Sequence, residues 1–109
     1  KSSNSMVTEL TNGEFDDFIK EGLVLIDFFA DWCMPCMMMG PILEEVSAKF
    51  EGKIKFGKVD VGEYQDIAQK FNVSSIPNFT LLKNGTILDQ FTGSMSEEDF
   101  EEKLNSHLR

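Results

Sequence analysis

A chain of 109 residues has room for one domain, and 41% hydrophobic content with 10 Phe fills a core without a disulfide framework. Ten Lys plus Arg against 19 Asp plus Glu leave a formal net charge of −9, which argues against nucleic-acid phosphates and anionic membranes as partners. No apolar run approaches the ~20 residues of a membrane span, and the opening "KSSNSMVTEL" lacks the apolar core of a secretory signal. A cytoplasmic protein is expected, unless a leader has been removed. The sequons at Asn72, Asn78 and Asn84 matter only in a secretory pathway and are read as chance.

Taken in chain order, residues 1–5 are polar and read as a disordered tail on a single domain spanning 1–109. "MVTEL" is a weakly defined first strand. "TNGEFDDFIKEG" places Phe15, Phe18 and Ile19 at helical spacing before a glycine stop. "LVLIDFFA" (23–30) is a near-continuous apolar run, the mark of a strand buried on both faces, and Asp27 is its one polar member. Beyond the cysteines a helix runs to about Glu51 with Ile42, Leu43, Val46 and Phe50 as its buried stripe, and Pro41 should kink it.

"KIKFGKVDV" (53–61) reads as a strand and "EYQDIAQKF" (63–71) as a short helix. "NFTLL" and "ILDQFT" flank "KNGT", and Asn-Gly favours a tight hairpin turn. "SMSEEDFEEKLNSHL" closes the chain as an amphipathic helix with Phe100, Leu104 and Leu108 on one face. Ser94 with Glu97, or Ser96 with Asp99, can cap it. The order predicts an α/β fold whose mixed sheet is parallel early and antiparallel in the final hairpin. His107, the one histidine, has no partner evident in the sequence and receives no catalytic role; Asp31, Glu44 and Glu45 read as solvated surface charges.

The chemistry concentrates in "DWCMPCMMMG" (31–40), which holds both cysteines and four of the six methionines. Cys33 falls between a buried strand and a helix start, where unpaired N–H groups and the positive end of the helix dipole favour a thiolate. Cys36 lies one turn further on, within disulfide reach, and Pro35 suits a first turn. Such a pair supports thiol–disulfide exchange through a mixed disulfide at Cys33 that Cys36 resolves. Asp27, six residues before Cys33, should have a raised pKa in its apolar strand and is placed to relay a proton to or from Cys36. The plainer reading pairs it with Lys58 on the next strand.

Other readings stand beside this one. Two cysteines and a distant histidine fall short of the usual four zinc ligands, so no metal site is expected within one chain. Cys33, Cys36 and Met37 offer soft ligands for a Cu(I)-handling module. A disulfide oxidase or isomerase would use the same residues at a different redox poise. A binding domain that merely retains the cysteines is a further possibility.

In order along the chain, "DFFADWCMPC", "GPILEEV", "KVDV", "SIPNFTLLKNG" and "TGS" resemble the thioredoxin family from about Thr8 to Leu108. The resemblance implies a thioredoxin fold, a central mixed five-stranded sheet flanked by four helices, and a protein-disulfide reductase. Cys33 then matches the exposed nucleophile and Cys36 the buried resolving thiol. Asp27 matches the family's buried aspartate with Lys58 as its charge partner, and Pro77 a cis-proline facing the cysteines. Trp32, Met34, Pro35, Val61, Ile76, Thr92 and Gly93 fall at the surface that receives substrate. The implied partners are disulfide-containing proteins and a thioredoxin reductase as electron donor; the sequence carries no nucleotide fingerprint, so no cofactor is expected, and a monomer is expected.

Three positions depart from the family pattern. Met34 replaces the usual glycine between the cysteines, Met37 a residue that is often basic, and Phe29 a frequent tryptophan. Met38 and Met39, one turn before Ile42 and Leu43, are expected to extend the core stripe. Met34 and Met37 are expected to form a soft substrate rim, exposed enough to be oxidised.

Overall fold

The computed structural model describes residues 6–109, so the expected N-terminal tail at 1–5 lies outside the described residues. The elements are β1 (Val7–Glu9), α1 (Asn12–Ile19), β2 (Leu23–Phe29), α2 (Met34–Lys49), β3 (Lys55–Asp60), α3 (Gln65–Lys70), β4 (Asn78–Lys83), β5 (Thr86–Thr92) and α4 (Glu97–Asn105). The strands form one sheet in the order β1-β3-β2-β4-β5. β1, β3 and β2 run parallel, whereas β4 and β5 are antiparallel to their neighbours.

β2 is the middle strand, which explains its continuous apolar run. Side chains alternate across a sheet, so a strand covered on both sides needs apolar residues at every position. Val24, Ile26 and Phe28 join a core with Phe15 and Ile19 of α1 and Ile67 of α3. Leu25 faces the other way, into a core with Met39, Leu43 and Val46 of α2 and Phe100 and Leu104 of α4. The result is a three-layer sandwich with two helices on each face. α1 lies close over β3 because position 57 is glycine: a Cβ there would come within 2.9 Å of Leu10 and Phe18 side-chain atoms.

The turn chemistry acts as the sequence predicts. Asn84 and Gly85 both have positive φ (51° and 85°), the requirement of a two-residue type I′ hairpin. Asn84 also ties this hairpin to the entry of β2, its N–H donating to Gly22 O (3.0 Å) and its Oδ1 accepting from Gly22 N–H (2.8 Å). Of the two possible caps for α4, Ser96 forms: its Oγ accepts from Asp99 N–H at 3.1 Å. Phe100 then packs edge-on to Phe79 at 4.9 Å and Phe91 at 5.8 Å.

Two expectations need correction, and one residue has a partner that the sequence does not reveal. Met38 is not core: it is 64% exposed while Met39 is fully buried. Successive helical residues differ by about 100° around the axis, and the inward face of α2 is set by Cys36, Met39, Leu43 and Val46. Met38 therefore lies to the side of that face, and Ile42, one turn on, is only half-buried. Leu108 lies beyond the end of α4 and is exposed, so it does not continue the Phe100–Leu104 stripe. His107 does have a partner, since its Nε2 lies 2.9 Å from Asp89 Oδ2 on β5. That contact joins the turn after α4 to β5 and has no sequence signature. α2 continues past Pro41 to Lys49.

Candidate active site

The site forms where β2 hands over to α2. Cys33 is the N-cap of α2, with extended backbone dihedrals (φ −92°, ψ 106°), and Pro35 sits in the first turn, where no intrahelical N–H is required. Cys33 and Cys36 are joined in a disulfide with their Cα atoms 5.3 Å apart. The Cys36 N–H points at Cys33 Sγ, 3.2 Å away, so an otherwise orphaned helix N–H is spent on sulfur. Each cysteine is only 5% exposed. In this oxidised form the expected contrast between an exposed Cys33 and a buried Cys36 is therefore absent. The Ile76 carbonyl oxygen lies 3.9 Å from Cys33 Sγ and covers it.

The residues expected to receive substrate converge on this pair from three loops. Val61 and Ile76 pack against the cluster of Ala30, Cys33 and Cys36. The Ile76–Pro77 bond is cis. Pro77 itself is buried, and its carbonyl accepts from Gly93 N–H at 3.0 Å, which holds Thr92 and Gly93 alongside. Trp32 is 77% exposed and Met34 66%, so both stand clear of the core beside Cys33. Pro35 is exposed as well.

Asp27 lies behind the cysteines. It is 5% exposed, and its Oδ1 is buried without a hydrogen-bond partner. Burial pushes its pKa from the ordinary 3.8 up to about 7, against the opposing pull of the Lys58 charge. The two residues are register partners on β2 and β3. Among the described residues, however, the Asp27 carboxylate has no contact ion pair, and the Lys58 ammonium instead lies 5.4 Å from the Phe29 ring centroid. Asp27, Lys58 and Cys36 line one cavity of about 280 Å³. Met37 and Glu44 also line it, and so does Asp31, which the sequence read as surface charge alone. Cavity lining is a tertiary property, and the spacing of these residues does not announce it.

Residues 6–106 match the family model for thioredoxin. The chain belongs to the thioredoxin family. It is similar to the thioredoxins of Staphylococcus aureus strains Mu50, MW2 and N315, each 39% identical over 102 residues. Those matches cover 94% of this chain and 98% of each relative. Family membership accounts for the cis Ile76–Pro77 bond and the five-stranded sheet with four helices, and for a cysteine pair capped onto a helix. It does not account for the methionines of α2. Among the described residues no cluster of three or more His, Cys, Asp or Glu could hold a metal ion.

Proposed function

We propose that this chain reduces disulfides in other proteins by cycling the Cys33–Cys36 pair between dithiol and disulfide. The observation that carries the reading is the placement of both sulfurs at the capped N-terminus of α2, packed against Val61 and against Ile76, whose bond to Pro77 is cis. Negative charge on Cys33 Sγ is favoured by the Cys36 N–H and by the helix dipole, an effect for which thioredoxins are among the standard examples.

In the first step the Cys33 thiolate attacks one sulfur of the substrate disulfide. The substrate S–S bond breaks, its second sulfur leaves as a thiolate that takes up a proton, and a mixed disulfide remains at Cys33. Cys36 then gives up its proton and attacks Cys33 Sγ, which releases the first substrate sulfur as a thiol. The product is the disulfide seen in the structure. Asp27 is the acceptor for the Cys36 proton: a carboxylate whose pKa is about 7 can take and return a proton near neutral pH, and it shares a cavity with Cys36. Lys58, on the same cavity, keeps the ionised carboxylate from becoming still more costly.

Trp32, Met34, Pro35, Val61, Ile76, Thr92 and Gly93 form the substrate rim in this reading, with Pro77 buried beneath it and extended substrate chain running past the Ile76–Pro77 edge. Two electrons restore the dithiol after each turnover, and a thioredoxin reductase is the donor that family membership supports. We place the protein as a monomer in the cytoplasm, where a reducing pool sustains such a cycle. No helix among the described residues is long and apolar enough to cross a membrane.

Insulin provides the test. The protein should catalyse dithiothreitol-dependent reduction of insulin disulfides, and Cys33→Ser should abolish that turnover. Turnover that survives Cys33→Ser intact would refute the mechanism.

A further inference from the structure

Three thioethers stand on the outer face of α2. Met34, Met37 and Met38 are 66%, 60% and 64% exposed, and their i, i+3, i+4 spacing places them on one side of the helix. Trp32, at 77%, adjoins them across Cys33. A single exposed apolar residue needs no explanation, but several on one side of a helix beside a reactive sulfur are a candidate contact surface. Met39 supplies the contrast within the same run. It is fully buried on the opposite face, and its Sδ accepts from Met95 N–H at 3.4 Å.

The occupant of this surface follows from access to Cys33, which is 5% exposed between Trp32 and Met34. A small disulfide can approach such a sulfur end-on. A disulfide within a polypeptide brings flanking chain with it, and that chain has to rest on the rim. Further along α2 the surface becomes acidic at Glu44 and Glu45, both exposed, and Asp31 is exposed on the near side. A segment with apolar side chains and Lys or Arg nearby fits; an acidic one is repelled.

Resting on the reductase reading, we propose that Met34, Met37 and Met38 are an oxidisable contact face, through which hydroperoxides lower activity toward protein disulfides without touching the exchange chemistry. In the modifying step a thioether sulfur attacks one peroxide oxygen and the O–O bond breaks. An S–O bond forms, and the other oxygen takes the proton from the oxygen now on sulfur and leaves as water, or as an alcohol from an organic hydroperoxide. The sulfur is oxidised by two electrons and the peroxide reduced by two. The sulfoxide is polar and hydrated, so the apolar contact with substrate is lost. Cys33 and Cys36, held as a disulfide on the oxidised protein, are not consumed.

The test treats the disulfide form with hydrogen peroxide, removes the peroxide, and maps sulfoxides by peptide mass spectrometry. Met34, Met37 and Met38 should be oxidised well before Met39 and Met95. After reduction with dithiothreitol, kcat/KM for insulin should fall by on the order of tenfold, the loss expected when one or two methylene-sized apolar contacts become hydrated, and KM should carry most of it. Activity toward hydroxyethyl disulfide should stay unchanged. A Met34→Leu, Met37→Leu, Met38→Leu variant, compared with itself before and after peroxide, should lose the peroxide effect. An active protein whose insulin kinetics survive oxidation of these three residues would overturn the proposal. So would an equal loss toward both substrates, a peroxide effect retained in the leucine variant, or oxidation no faster than at Met39. Failure of the untreated protein to reduce insulin would instead refute the reductase reading, and this inference with it.

Discussion

Asp27 should make the folded protein less stable as pH rises, and Asp27→Asn should remove that dependence. The folded state holds the Asp27 proton up to about pH 7, whereas the unfolded chain releases it near the ordinary 3.8. Between those values the folded state binds more protons, so unfolding free energy falls as pH increases. The favourable contribution is complete below about pH 4 and gone once pH has risen through 7. Each tenfold difference in proton affinity between the two states is worth ~1.36 kcal/mol, so the full cost of the ionised carboxylate above pH 7 is about 4 kcal/mol. Asparagine keeps the shape and carries no charge. Oδ1 has no hydrogen-bond partner for the substitution to break. Denaturant unfolding of both oxidised proteins between pH 4 and pH 8 is the assay. Stabilities should agree within ~1 kcal/mol at pH 4, and the variant should lead by about 4 kcal/mol at pH 8. A pH-independent offset would refute the reasoning, because it would mean that Asp27 ionises in the fold as it does in water.

Asp27→Asn should also slow insulin turnover near neutral pH by up to ~100-fold, because the resolving step loses its proton acceptor, and mixed disulfide should accumulate; undiminished turnover would remove Asp27 from the mechanism. Met37 brings no positive charge to the turn that carries Cys36, so Met37→Lys should let Cys33 react as a thiolate at lower pH; an unchanged pH profile of alkylation would sink that idea. Phe100 is fully buried between Phe79 and Phe91. Phe100→Ala should therefore destabilise by about 3–5 kcal/mol in denaturant titrations, and a loss under ~1 kcal/mol would show that α4 is not docked as described.

The elements that position the site are legible because local chemistry dictates them. "LVLIDFF" reads as the central strand because only a strand covered on both faces is apolar at successive positions. Asn84-Gly85 marks the hairpin turn because both residues tolerate positive φ. Cys33 and Cys36 are legible by spacing, and Asp27 because a carboxylate in an apolar strand is costly. What escapes depends on tertiary packing. Spacing to Ile42 points Met38 toward the core, but the inward face of α2 is centred on Cys36, Met39 and Leu43, which turns Met38 outward. The contact of His107 with Asp89 joins the turn after α4 to a strand 18 residues earlier. The cis Ile76–Pro77 bond follows from family resemblance, since an Ile-Pro pair by itself is compatible with either isomer. The shared cavity of Asp27, Lys58 and Cys36 requires the sheet register and the placement of α2 together.

The central claim is an order of events: Cys33 attacks and Cys36 resolves. Trapping tests it most directly. The Cys36→Ser and Cys33→Ser variants are each incubated with an oxidised protein substrate, and covalent adducts are identified by mass spectrometry without reductant. A stable mixed disulfide should form at Cys33 in the Cys36→Ser variant, with little adduct in the Cys33→Ser variant. Equal trapping at Cys36 when Cys33 is absent would contradict that order.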